Sequence, residues 1–248
     1  MKKKLKKKYF IILILLIIFI YTFFNLLIWF IDINNNKNLY NNLNNNVINK
    51  QKDKKAKEKE LVTIDFNKLI EINNDIIGWI IYSDKINYPI VQTNNNDYYL
   101  KKSFNKENNT MGSIFMDYKN NHFNDLNIVI YGHNTIDKTM FGSLRDTLKK
   151  DFFNNSNNNY IYIYTKDKNM KYLIFSVYVI DGEIYYATIN PIDYKEFIKT
   201  ITKRSVHNFK INVNMNDKIL TLSTCYGNRG TTKRMVIHAK LIDESDEW

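Results

Sequence analysis

One cysteine, four histidines and an arginine at the start of an apolar run are the residues whose chemistry could matter here. Cys225 closes the stretch Lys218-Ile219-Leu220-Thr221-Leu222-Ser223-Thr224-Cys225, and Arg234 opens Arg234-Met235-Val236-Ile237-His238-Ala239-Lys240. Both stretches read as strands. In the first, apolar and hydroxyl-bearing residues alternate with period two, so Thr221, Ser223 and Cys225 share one face while Leu220 and Leu222 share the other. The short polar loop from Tyr226 to Lys233 returns the chain antiparallel, which would set Cys225 and Arg234 at the same edge. A thiol that can ionise beside a permanent cation is the core of a cysteine acyl-transfer site. Arg229, in the same loop, is the rival cation. A lone cysteine in an exported chain can also be buried and inert, or paired with another molecule, so these fates stand beside the reactive one.

A thiol nucleophile needs a proton carrier for its leaving group. His133 fits that part, because it follows the apolar run Asn127-Ile128-Val129-Ile130-Tyr131 and is flanked by Gly132 and Asn134, where the backbone turns and a side chain is open to solvent. The other three histidines have plainer explanations. His122 lies in a polar loop, His207 follows a helix end, and His238 sits among the packing residues of the last strand. No two histidines, and no histidine with the cysteine, stand at metal-ligand spacing, so no metal is expected. No acidic loop is dense enough for calcium.

Several elements must position these residues. Ile64 to Ile72 has apolar residues at helical spacing. Strands are expected at 78–82, 86–91, 113–117, 127–131, 160–164 and 172–179, with Pro89 placing its strand at an edge or bulge. Phe141 to Leu148 reads as helical, and Asp193-Tyr194-Lys195-Glu196 after Pro191 has the capping-box spacing that opens a helix to about Arg204. Eight or so short strands with helices between them indicate a mainly β (α+β) fold, an eight-stranded β-barrel with flanking helices.

The beginning of the chain is different in kind. Residues 1–8 are a basic segment with six lysines, and Tyr9 to Ile31 carries no charge. A bilayer core takes about 20 apolar residues as helix, whereas a secretory h-region has roughly 7–15 and ends at small residues. None follow here. The segment 9–31 is therefore read as an uncleaved transmembrane signal anchor, lysines cytoplasmic and the rest outside. From Asn34 to Asn49 ten of sixteen residues are asparagine, and Lys50 to Glu60 is nearly all charged, so 32–60 reads as a stalk with too little apolar surface to order itself, unless its charged part is helical. The remaining 61–248 suits one extracellular domain with one core. The net charge of +11 resides mostly at the front: residues 1–60 hold 13 lysines against four acids, and 61–248 hold 23 basic residues against 21 acidic ones. A nearly neutral domain does not carry a nucleic-acid footprint.

The motifs Tyr131-Gly132-His133-Asn134, Thr221-Leu222-Ser223-Thr224-Cys225 and Thr232-Lys233-Arg234-Met235-Val236-Ile237 together resemble the sortases. The likeness to class B extends to Ile86-Asn87-Tyr88-Pro89-Ile90-Val91-Gln92, to Gly112-Ser113-Ile114-Phe115-Met116-Asp117-Tyr118 and to Thr139-Met140-Phe141, and spans roughly residues 64 to 242. The resemblance implies a membrane-anchored cysteine transpeptidase of a Gram-positive surface, working without a cofactor. Its substrates would be secreted proteins with a C-terminal sorting signal, cut after threonine through a Cys thioester. The acceptor would be an amine of a lipid II-like peptidoglycan precursor. By the same resemblance Cys225 is the nucleophile, His133 the acid/base and Arg234 the stabiliser of the substrate carbonyl, while Asn96, Leu100, Tyr131, Tyr186 and Ser223 line the substrate groove. The loop from Asp181 to Pro191 would shape the motif's pocket. Two positions depart from class B: Tyr226 stands where an acidic residue often follows the nucleophile, and Ala187 replaces a larger apolar side chain. A hydrolytic cysteine protease of the outer face and a non-catalytic membrane-tethered binding module are the competing functions.

Overall fold

The structure is a computed structural model that describes residues 2–52, 60–227 and 230–246. The chain divides into two compact units, Met1–Asn42 and Leu43–Trp248. Helix α1 (Lys2–Val47) makes up the first as far as Asn42, and its last residues from Leu43 belong to the second. Its apolar side chains from Tyr9 to Ile31 are exposed all around it, and its most apolar 18-residue window has a mean hydropathy of 3.0. A helix that is apolar and exposed on every side is long and greasy enough to cross a bilayer.

The helix does not stop where disorder was expected. It continues through the asparagine-rich segment to Val47, and two features stabilise its end. Leu43 and Val47, one turn apart, are both buried, which gives the polar segment an apolar side. The terminal carbonyls also find donors: the Asp65 amide reaches Val47 O at 2.9 Å and the Lys68 ammonium reaches Asn46 O at 3.3 Å. Strands β1 (Ile48–Lys52) and β2 (Glu60–Ile64) then pair antiparallel, so part of the expected stalk is sheet. Residues 53–59 of the charged run lie outside the described residues.

Helix α2 (Phe66–Ile72) is capped by Asp65, whose carboxylate accepts from the Lys68 amide at 3.2 Å. The barrel strands follow: β3 (Ile76–Tyr82), β4 (Ile86–Val91), β5 (Ile114–Met116), β6 (Asn127–Tyr131), β7 (Tyr160–Tyr164), β8 (Asn169–Asp181), β9 (Ile219–Cys225) and β10 (Lys233–Ser245). They close in the order β10-β8-β7-β3-β4-β5-β6-β9. Closure leaves no free sheet edge, yet Pro89 is tolerated. It faces Trp79 on β3, while β5 pairs with β4 only from Ile90 onward, so β4 is a local edge where the proline lacks its N–H. The expected helix after Phe141 is a 3₁₀ segment, Gly142–Leu148, in which Arg145 donates to the carbonyls of Gly142 and Thr135.

Two pairings position the site. β6 lies parallel to β9, and β10 antiparallel to it, so Ile130, Leu222 and Ile237 stand abreast on one face and Val129, Thr221 and His238 on the other. Both faces are buried. The first fills the barrel. Over the second lie helix α3 (Tyr194–Lys203), which presents Tyr194, Phe197, Ile198 and Ile201 at helical spacing, and the short turn Tyr185–Ala187. Asp193 caps α3 by accepting from the Glu196 amide at 2.9 Å, as the capping-box spacing requires.

Candidate active site

Cys225 is the last residue of β9, and its register partner on β10 is Arg234. The thiol is free and exposed. Exposure removes the reading of an inert buried cysteine. Arg234 is half-buried, and its Nη1 donates to the carbonyls of Thr231 and Lys233 at 2.9 and 3.0 Å. Those bonds pin one end of the guanidinium to its own loop. Among the described residues its Nε and Nη2 donors have no protein partner, so they are available to an anionic oxygen. Arg229 lies outside the described residues.

His133 arrives from the parallel neighbour. Tyr131 is level with Ser223, the Gly132 amide donates to Ser223 O at 3.3 Å, and His133 and Cys225 each lie two residues beyond that paired row at the same end of the barrel. Gly132 is required by packing: a Cβ there would come within 2.5 Å of Ile114 and 2.8 Å of Phe141. The imidazole is half-buried, and its Nε2 lies 2.7 Å from Leu100 O. A carbonyl only accepts, so Nε2 carries the proton and Nδ1 is the nitrogen left for exchange. Gly112 stands behind both groups with φ +58°, and a methyl there would come within 2.9 Å of the His133 ring and 2.8 Å of Leu100 O.

Four of the five expected groove residues fall into two connected pairs. Asn96 donates to Asp117 Oδ2 at 3.1 Å and accepts from the Tyr118 amide at 3.0 Å. The Tyr131 hydroxyl donates to the same carboxylate oxygen at 2.9 Å. From the turn Tyr185–Ala187 the Tyr186 hydroxyl lies 3.0 Å from the Ser223 hydroxyl on β9, and both side chains are buried. Leu100 contributes its carbonyl to His133. Electrostatics tie the pairs to the centre: burial, then the Asp117 charge, pushes Tyr131 well above the ordinary tyrosine range, with Arg234 opposing. Tyr186 is raised mainly by burial; Cys225 adds to the rise, whereas Arg234 opposes it.

Two contributors were missed from sequence. Asp117 joins Asn96 to Tyr131, and the Leu100 carbonyl orients His133 in the place where proteases use a side chain. Asp117 lies inside one of the class B-like motifs, but nothing in its spacing announces its partners. The other histidines are elsewhere: His122 is exposed, His207 Nε2 donates to Thr147 O at 2.7 Å, and His238 is fully buried. Among the described residues no three His, Cys, Asp or Glu side chains gather as metal ligands would.

An exposed thiol, a guanidinium in register with it and an imidazole at the same barrel end are the groups a cysteine acyl-transfer centre requires. A family profile described as Sortase domain matches residues 81–242, and the chain belongs to the sortase family of cysteine transpeptidases, enzymes that anchor surface proteins to cell walls. Within it the chain is 38% identical to Sortase B of Staphylococcus aureus (strain NCTC 8325 / PS 47) over 196 residues, which cover 77% of this chain and 80% of that protein. A solved Staphylococcus aureus sortase B-substrate complex superposes with a TM-score of 0.67 at 38% identity, covering 72% of this chain and 84% of that one. A sortase B complexed with triglycine gives the same TM-score and identity, covering 72% and 85%.

Proposed function

We propose that this transpeptidase takes a secreted protein with a C-terminal sorting signal, cleaves it after threonine, and joins the threonine carbonyl to an amine of a lipid II-like peptidoglycan precursor. The Cys225 thiol gives its proton to His133 Nδ1 as Sγ attacks the threonine carbonyl, and Arg234 donates to the oxygen as its charge grows. The C–N bond breaks as the His133 Nδ1 proton passes to the leaving amine, which leaves a thioester on Cys225. The incoming amine then attacks that thioester as His133 Nδ1 takes its proton, the C–S bond breaks, and the departing Cys225 thiolate recovers that proton from the imidazolium. Asn96, Leu100, Tyr131, Tyr186 and Ser223 line or brace the groove that holds the peptide. α1 holds the enzyme in the membrane by a single pass, with the lysine cluster cytoplasmic and the barrel outside.

The observation that carries this reading is the direct pairing of exposed Cys225 with Arg234. The relatives solved with substrate and with triglycine support the two halves of the reaction. The test is ligation by the full-length protein in detergent, with a peptide library fixed at threonine and triglycine as acceptor. A ligated product absent in Cys225→Ala is expected; full activity in that variant would refute the assignment. Hydrolysis without ligation would favour the protease instead.

A further inference from the structure

The segment that carries Tyr186 is attached to the barrel by unusually complete bonding at its far end. Asn127, the first residue of β6, is fully buried, and its Nδ2 donates to two main-chain carbonyls of the segment, Tyr186 O at 3.2 Å and Thr188 O at 2.9 Å. Its own amide donates to Ile189 O at 3.0 Å, and the Leu126 amide donates to Asn190 Oδ1 at 3.1 Å. Glu183, at the segment's beginning, holds Arg204 through two contacts of 2.7 and 2.8 Å. The stretch 183–190 is thus fixed at both ends while Tyr186 reaches Ser223, two residues before the nucleophile on β9.

The orientation of Asn127 is dictated from behind. Two carbonyls can only accept, so the amide nitrogen must face them and Oδ1 must face inward. Oδ1 accepts from the Thr221 hydroxyl at 2.6 Å. With its one proton spent, Thr221 Oγ1 must accept at its 2.8 Å contact with His238 Nδ1. His238 is fully buried and neutral, since burial, and then the Arg204 charge, depress its pKa to about 3. Its single proton is therefore on Nδ1, and Nε2 accepts from the Tyr178 hydroxyl at 2.8 Å. Every donor in the chain Tyr178–His238–Thr221–Asn127 has one direction available, and the chain ends on the backbone of the Tyr186 segment.

We propose that Asn127, locked by Thr221, His238 and Tyr178, is a positioning residue that sets affinity for the sorting peptide by fixing the Tyr186 wall, without touching the peptide or the reacting atoms. The inference rests on the reading above in which this segment borders the peptide groove. Its signature is a split between binding and chemistry, because a displaced wall weakens peptide binding while thiol, imidazole and guanidinium stay on β9, the end of β6 and β10.

The experiment uses full-length protein in detergent, the library peptide with the highest turnover, and triglycine. Asn127→Ala and Thr221→Val are each expected to raise the peptide KM about tenfold, while kcat and the rate of Cys225 alkylation by iodoacetamide stay within about twofold. Thr221→Ser, which restores the hydroxyl, should return KM to near the original value. Unchanged KM in both variants, a parallel loss of kcat and alkylation, or a serine variant no better than valine would each overturn the proposal. Should Asn127→Ala and Thr221→Val fail to fold, Tyr178→Phe carries the test, since it removes one hydroxyl at the far end of the chain. A raised KM there supports the network, and an unchanged KM overturns it. Cys225→Ala, run alongside, separates the two levels: activity surviving in it sinks the transpeptidase reading itself, whereas its inactivity with unchanged KM in the network variants sinks only the positioning role.

Discussion

Arg234 differs from a generic cation in how it is held. With Nη1 committed to the carbonyls of Thr231 and Lys233, the guanidinium can point its remaining donors only within a narrow range. A lysine would keep the charge and lose the fork. We expect Arg234→Ala to lower kcat by about 10²–10³-fold, as removal of an oxyanion donor does elsewhere, and Arg234→Lys to recover little of it. Peptide ligation kinetics measure both, and a lysine variant at full kcat would reduce the arginine to a simple charge. At this scale the sequence was informative about side chains and silent about main chain. The pairing of Cys225 with Arg234 follows from strand period and a short loop. The Leu100 carbonyl could not be read, because every residue has one and only the folded path brings that one to His133.

Among the elements, β9 has two functions: its end carries Cys225, the proposed nucleophile, and its middle carries Thr221 into the buried network. His238 opposite Thr221 was read as a packing residue, which matches its burial, but alternation alone does not tell a bonded imidazole from a passive one. Its protonation has a consequence for stability. Folding lowers its pKa from 6.5 to about 3, so between those values the unfolded chain binds the proton and the folded one does not. The stabilisation is whole above about pH 6.5 and is lost as pH falls toward 3, at up to about 1.4 kcal/mol per pH unit. Denaturant unfolding at pH 7.5 and 4.5 should therefore show a smaller acid loss in His238→Gln than in the unaltered protein. Equal losses would mean that His238 takes no part in the pH dependence. Most strands were legible because the period-two pattern is strong over β6 to β9. The 3₁₀ segment after Phe141 and the helical end of α1 were harder, since both depend on bonds to residues distant in sequence, Arg145 to Thr135 and Asp65 to Val47.

At the scale of the whole molecule, an apolar N-terminal helix and a nearly neutral barrel divide the labour between attachment and chemistry. The full-length protein should resist extraction from membranes by alkaline carbonate, and a chain beginning at Leu43 should be found in the soluble fraction with its ligation activity retained. Loss of the full-length chain to the carbonate wash would contradict the anchor. The central claim concerns the covalent step, and it is tested most directly by intact-mass spectrometry of the enzyme quenched during turnover of a cleavable peptide without acceptor. An adduct equal to the acyl fragment ending in threonine, located on Cys225 and discharged on addition of triglycine, is the expected result. Turnover at full rate with no adduct on Cys225, or an adduct that triglycine does not discharge, would contradict it.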